Sequence, residues 1–243
     1  MNGTRTSNMA KGATAADWRR DLHSGSLLRG CLLGAVAFLA ACIAHEGFGH
    51  AGTCLLLRGQ ILAMSSAVFQ CAPGSVWVDV AGPMANCLAF LIGSIFVART
   101  DRRSPSRDLL SLFVAFNACW GFGYLMYSAV TDTGDWAFAL HAVAPIGWKN
   151  AAMRAVCGVS GVVLYVSALR WMRTRLPASW ELLAAYVGAG ICSLILVLLT
   201  DGLSVAPVIE AVNESWGALT GIGVLAVRGR VARDQKLRGR HAA

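Results

Sequence analysis

The chain has 243 residues, of which 56% are hydrophobic and only 14% charged. A soluble domain of this length carries roughly a quarter charged residues, so the composition excludes an ordinary soluble enzyme. The net charge of +8 does not point to nucleic acid either: Arg and Lys gather in short segments between apolar runs, with no basic stripe interleaved with aromatics.

Apolar runs of about 20 residues, long enough to cross a bilayer core as helix, recur along the sequence. They predict an all-α polytopic membrane protein of about six transmembrane helices. Residues 1–26 read as a polar cytoplasmic leader. The first span covers 27–57 and is expected to remain uncleaved, because its apolar character continues past His45 and His50. Residues 58–75, with Pro73 and Gly74, are moderately apolar and suggest a re-entrant hairpin or a short strand pair over a cavity. The second span covers 76–98, contains Gly82-Pro83 and Asn86, and is followed by Arg99, Arg102, Arg103 and Arg107. The third covers 109–130 and leads into Thr131-Asp132-Thr133-Gly134-Asp135-Trp136, then a semi-apolar connection to Asn150. The fourth covers 151–171, with Arg170, Arg173 and Arg175 at its end, and the fifth covers 181–200. A weaker sixth, 203–227, is interrupted by Glu210 and Glu214, and a basic tail fills 228–243.

The charges predict orientation. With six spans and both termini inside, only Arg58, Lys149 and Arg154 fall on the outer side, as the positive-inside rule requires. An integral protein of a bacterial inner (plasma) membrane, N-in and C-in, is the expectation. Of eight cysteines, Cys31, Cys42, Cys54, Cys87, Cys119, Cys157 and Cys192 lie in or beside apolar runs and read as small buried hydrophobes. Only Cys71 is in a clear loop and no C-x-x-C pair occurs, so neither a disulfide framework nor a cysteine zinc site is expected.

The chemistry concentrates in the first span, at His45-Glu46-Gly47-Phe48-Gly49-His50. Ionisable groups at membrane depth are costly and mark function by default. In H-E-x-x-H the histidines at i and i+4 share a helix face and one metal, and the adjacent Glu acts as general base on the metal's water. Here they stand at i and i+5, which on a regular α-helix turns the second imidazole roughly 140° from the first. A π-bulge, or loosening at Gly47 and Gly49, restores convergence, so the spacing predicts a bulged or unwound helix at residues 47–49. Simple hydrogen bonding of both histidines across the bundle competes less well, since it leaves Glu46 without a role. Haem ligation ranks below zinc for the same reason, and because it expects histidines on facing helices.

The sequence resembles the site-2 protease family of intramembrane zinc metalloproteases. The likeness rests, in order, on His45-Glu46-(Gly-Phe-Gly)-His50 followed by Ala51, on Ala81-Gly82-Pro83-Met84-Ala85-Asn86, and on Thr133-Gly134-Asp135. It covers about residues 30–140. The third segment reads Gly-Asp where the family has Asp-Gly.

The resemblance implies His45 and His50 as zinc ligands and Glu46 as the catalytic base. It implies Asp135 as the third ligand, with Asp132 the alternative, and Asn86 as a catalytic amide that positions substrate or stabilises the oxyanion. A helix N-cap is the competing role for Asp135, a kink for Gly82-Pro83, and an interhelical hydrogen bond for Asn86. The resemblance further implies a zinc site between the first three spans, nearer the cytoplasm, whereas the charge pattern places the histidines in the outer half. The expected organisation is a metalloprotease core over 27–140 and accessory membrane helices over 141–227. The expected function is hydrolysis of peptide bonds in membrane-associated proteins or peptides, with Glu46 activating a zinc-bound water; the expected partners are such a substrate and the lipid bilayer, with no nucleic acid. The alternatives are a catalytically inactive metal-binding membrane protein, or a proton or metal transporter using the same residues together with Glu210 and Glu214.

Overall fold

The computed structural model describes residues 24–66, 68–101, 104–176 and 180–200, and scattered positions between 208 and 225. The described residues are helical apart from one hairpin and the connecting turns. Helix α1 (Ser24–Cys42) passes without a break into a π-helical segment (Ile43–Ala51) and then a short α2 (Gly52–Leu56). Strands β1 (Gln60–Met64) and β2 (Phe69–Ala72) follow, then α3 (Val76–Arg99), α4 (Pro105–Thr131), a short α5 (Asp135–Val143), α6 (Trp148–Arg173) and α7 (Trp180–Thr200). Among the described residues, five helical stretches are long and apolar enough to cross a membrane: Ser26–Leu56, Val76–Arg99, Ser106–Thr131, Trp148–Arg173 and Glu181–Thr200. Most of the sixth expected span, with its Glu210 and Glu214, the leader up to residue 23 and the basic tail lie outside the described residues.

The helix α4 is the axis of the bundle. Val114, Ala115, Phe116, Ala118 and Cys119 are wholly buried, and Phe38 of α1 stacks on Trp120 at 5.4 Å. Outer helices instead present Leu88, Leu91, Ile95, Val156, Val159 and Val163 half-exposed or more. That much apolar surface has a ready solvent in lipid and none in water. The helices α1 and α7 cross closely: a Cβ on Gly30 would meet the Glu181 carbonyl at 2.7 Å. Close approach through small residues replaces the hydrophobic drive that is missing between helices in a membrane. At the same end Arg29 bonds Asp108 at 2.7 Å and faces Glu181 at 3.7 Å, so α1, α4 and α7 all begin on one side.

Two features depart from the sequence reading. The connection expected after the third span contains the helix α5. Cys54 and Cys71, expected to be unpaired, form a disulfide. Their separation in sequence and the absence of a repeated cysteine pattern conceal it; antiparallel pairing of β1 with β2 folds Cys71 back beside α2. The strand pair itself is one of the two forms anticipated for residues 58–75.

Candidate metal centre

The π-helical segment is what gathers the side chains. Its i→i+5 closure places His45 and His50 on one face, as α-helix geometry would place residues four apart. Both imidazoles are buried, at 3% exposure, and Glu46 between them is at 5%. The bulge falls where the sequence reading requires it, around Gly47 and Gly49. Gly49 also lets the segment touch α3, since a Cβ there would lie 2.6 Å from the Gly82 Cα and 2.7 Å from the Ala81 carbonyl.

Three donor atoms converge. His50 Nε2 lies 3.2 Å from His45 Nε2, and Asp135 Oδ2 lies 3.1 Å from the first and 3.3 Å from the second. Asp135 is the first residue of α5, behind a Gly134 held at φ 81°. Its Oδ2 is buried and makes no hydrogen bond, although two imidazole nitrogens are its neighbours. Glu46 places a donor within 4.8 Å of those of both histidines, and its Oε2 is buried without a hydrogen-bond partner. The His-Glu-His cluster could bind a metal ion. Asp135 is the carboxylate at ligand-to-ligand distance from both imidazoles, and Glu46 beside them keeps one buried oxygen without a partner.

The far side of each ring is secured. His50 Nδ1 donates to the Val78 carbonyl at 2.7 Å, and His45 Nδ1 donates to Asn86 Oδ1 at 2.5 Å. With both Nδ1 atoms so engaged, the Nε2 lone pairs point at the shared centre, the arrangement typical of metal-ligating histidines. His45 lies flat on Trp120 at 5.1 Å and His50 on Phe69 of β2 at 5.2 Å. The disulfide fastens the strand carrying Phe69 to α2, so the hairpin covers one imidazole.

Of the residues expected at the site, His45, Glu46, His50 and Asp135 come together. Asp132 does not: it ends α4 in the left-handed conformation (φ 60°), and its carboxylate pairs with His141 and Arg154, each at 3.0 Å. Asn86 is fully buried, with both ends of its amide held by protein: Oδ1 by His45, Nδ2 by Asn117 and the Ala41 carbonyl. It therefore faces a ligand rather than an open position beside the centre. Asn117, Trp120, Phe69 and the Val78 carbonyl were not anticipated. Only Asn117 leaves a signal in sequence, as an amide inside an apolar span.

Compared with protein-family models, with curated proteins and with solved structures, the chain matches none of them.

Proposed function

We propose that this protein is a membrane-embedded zinc metalloprotease of the site-2 type, hydrolysing peptide bonds of membrane-associated substrates. The observation that carries the reading is the triangle of His45 Nε2, His50 Nε2 and Asp135 Oδ2, with sides of 3.1, 3.2 and 3.3 Å. Zinc binds such nitrogen and oxygen donors at about 2.0–2.1 Å, and tetrahedral donors at that distance lie ~3.3 Å apart. Two imidazoles and one carboxylate leave one position open, the donor set of a catalytic rather than a structural zinc. When bound there, the ion would polarise the scissile carbonyl and acidify the attacking water.

The chain's own groups do the rest. Glu46, with an unpartnered buried oxygen, accepts the proton from the attacking water and returns it to the leaving amine. Asn86 and the Val78 carbonyl keep the two imidazoles turned inward. Trp120 and Phe69 wall the histidines and limit the approach of bulk water. A substrate helix must unwind locally to expose a carbonyl, because helical backbone groups are already bonded to one another.

The further features of the reading are insertion in a bacterial inner (plasma) membrane with both termini inside, and a site opening on the outer side. The disulfide supports that orientation independently of the charges, since disulfides persist in oxidising compartments. Glu46→Gln tests the chemistry. The purified variant is expected to retain zinc while cleavage of an unfolded membrane-proximal peptide falls by about 10²–10⁴-fold, the usual weight of a general base. Undiminished cleavage by zinc-loaded Glu46→Gln overturns the role of Glu46, and wild-type protein that never takes up zinc overturns the whole reading.

A further inference from the structure

A line of buried amides runs from the axis of the bundle to the metal centre, and its direction is fixed. The Phe113 carbonyl can only accept, and it takes the Asn117 Nδ2 hydrogen at 2.8 Å. This turns Asn117 Oδ1 the other way, where it accepts from Asn86 Nδ2 at 2.8 Å. The Ala41 carbonyl accepts from the same nitrogen at 3.3 Å. Asn86 therefore presents only its oxygen to His45 Nδ1. An oxygen facing Nδ1 requires a hydrogen on that nitrogen, and a neutral ring with its hydrogen on Nδ1 has its lone pair on Nε2. A reversed Asn86 would present NH₂ to Nδ1 and drive the hydrogen onto Nε2, the atom the metal needs. The Ala41 carbonyl is the more distant of the two anchors against that reversal. Asn117 is fully buried.

We propose that Asn117 is a positioning residue of the metal centre: through Asn86 it sets the tautomer of His45 and so keeps Nε2 available to the metal. The proposal rests on the metal-centre reading above and adds a residue that makes no contact with the metal or substrate. His50 has its own anchor, the Val78 carbonyl, and serves as an internal control.

The test uses the full chain in detergent, with ring-¹⁵N histidine and zinc affinity measured by chelator competition. The sequence holds five histidines, few enough to assign by single substitutions. Asn117→Leu, similar in volume but apolar, is expected to weaken zinc binding roughly 10–100-fold. It is also expected to shift or abolish the His45 Nδ1–H signal while leaving that of His50 in place. Asn117→Asp with its carboxyl protonated, the form that burial favours, donates O–H to the Phe113 carbonyl and keeps an oxygen toward Asn86 Nδ2, and is expected to restore both affinity and signal. Wild-type affinity with an unmoved His45 signal in Asn117→Leu overturns the proposal. Equal loss of both histidine signals in the Leu and Asp variants also overturns it, as that is the mark of a packing role. If the Leu variant does not assemble, zinc-loaded wild type still decides, because metal on His45 Nδ1 excludes the relay. Wild-type protein without zinc affinity removes the metal centre itself, a distinguishable result.

Discussion

A Cβ at position 82 would come within 2.7 Å of His45 Nε2 and of His50 Cδ2, and closer still to His50 Nε2. Gly82 is thus the floor of the metal centre, and the Pro83 after it only loosens the helical ladder by withholding an N–H. Gly82→Ala should reduce zinc from about one ion per chain to none while the protein remains membrane-inserted, read as metal content after purification. A stoichiometric zinc content in that variant would show that the imidazoles are not crowded against α3. His45, Glu46 and His50 were legible in the sequence because ionisable groups stand out against an apolar span. The choice between Asp135 and Asp132 was not, since both follow the third span at similar distance. It is decided by backbone: Asp132 closes α4 with a positive φ, and Gly134 then swings Asp135 back toward the histidines. The Val78 carbonyl could not be read at all, because a backbone group carries no residue type.

The bulge in the first helix was legible for a physical reason: two ligands five residues apart and two glycines between them admit few geometries. The disulfide was not, because pairing depends on the hairpin register that returns Cys71 to α2. It closes a segment of 17 residues, and constraining a loop of that size contributes about 3 kcal/mol. Cys54→Ser with Cys71→Ser should therefore lower the melting temperature in detergent by several degrees, and a reductant should act on the wild type alone. Zinc affinity should stay within a few-fold of wild type, because the hairpin's Phe69 ring stacks on His50 and supplies no donor atom. An unaltered melting curve would mean that α2 and the hairpin stay together without the bond. The boundaries of the five described spans matched the sequence reading to within a few residues, whereas α5 was missed: at nine residues it is too short for apolar periodicity to announce it.

Across the whole molecule, alternate helix ends separate two chemistries. One end carries Arg29 with Asp108 and Glu181. The other carries the metal centre, the disulfide and the Asp132–Arg154 pair, which offsets one of the three outer-side cations. The orientation rests on the Lys and Arg count, to which acidic partners add little. Single cysteines placed at Ile146, which is 90% exposed beyond α5, and at Thr100 after α3 give the test, in a chain whose Cys54 and Cys71 remain paired. In intact cells a membrane-impermeant maleimide should label the first and spare the second. The reverse pattern would place the metal centre on the cytoplasmic side, as the family resemblance implies, and would leave the disulfide in a reducing compartment.

The π-helical segment also has a genetic reading. Phe48, the residue that lengthens the motif, is 78% exposed, so it contributes little to packing inside the bundle. Without it the run would be His45-Glu46-Gly47-Gly49-His50, two histidines four positions apart on an ordinary α-helical face. A single codon separates this chain from the familiar zinc-protease spelling. Patterns that count letters between histidines pass it over, whereas one that follows the angle around the helix axis does not.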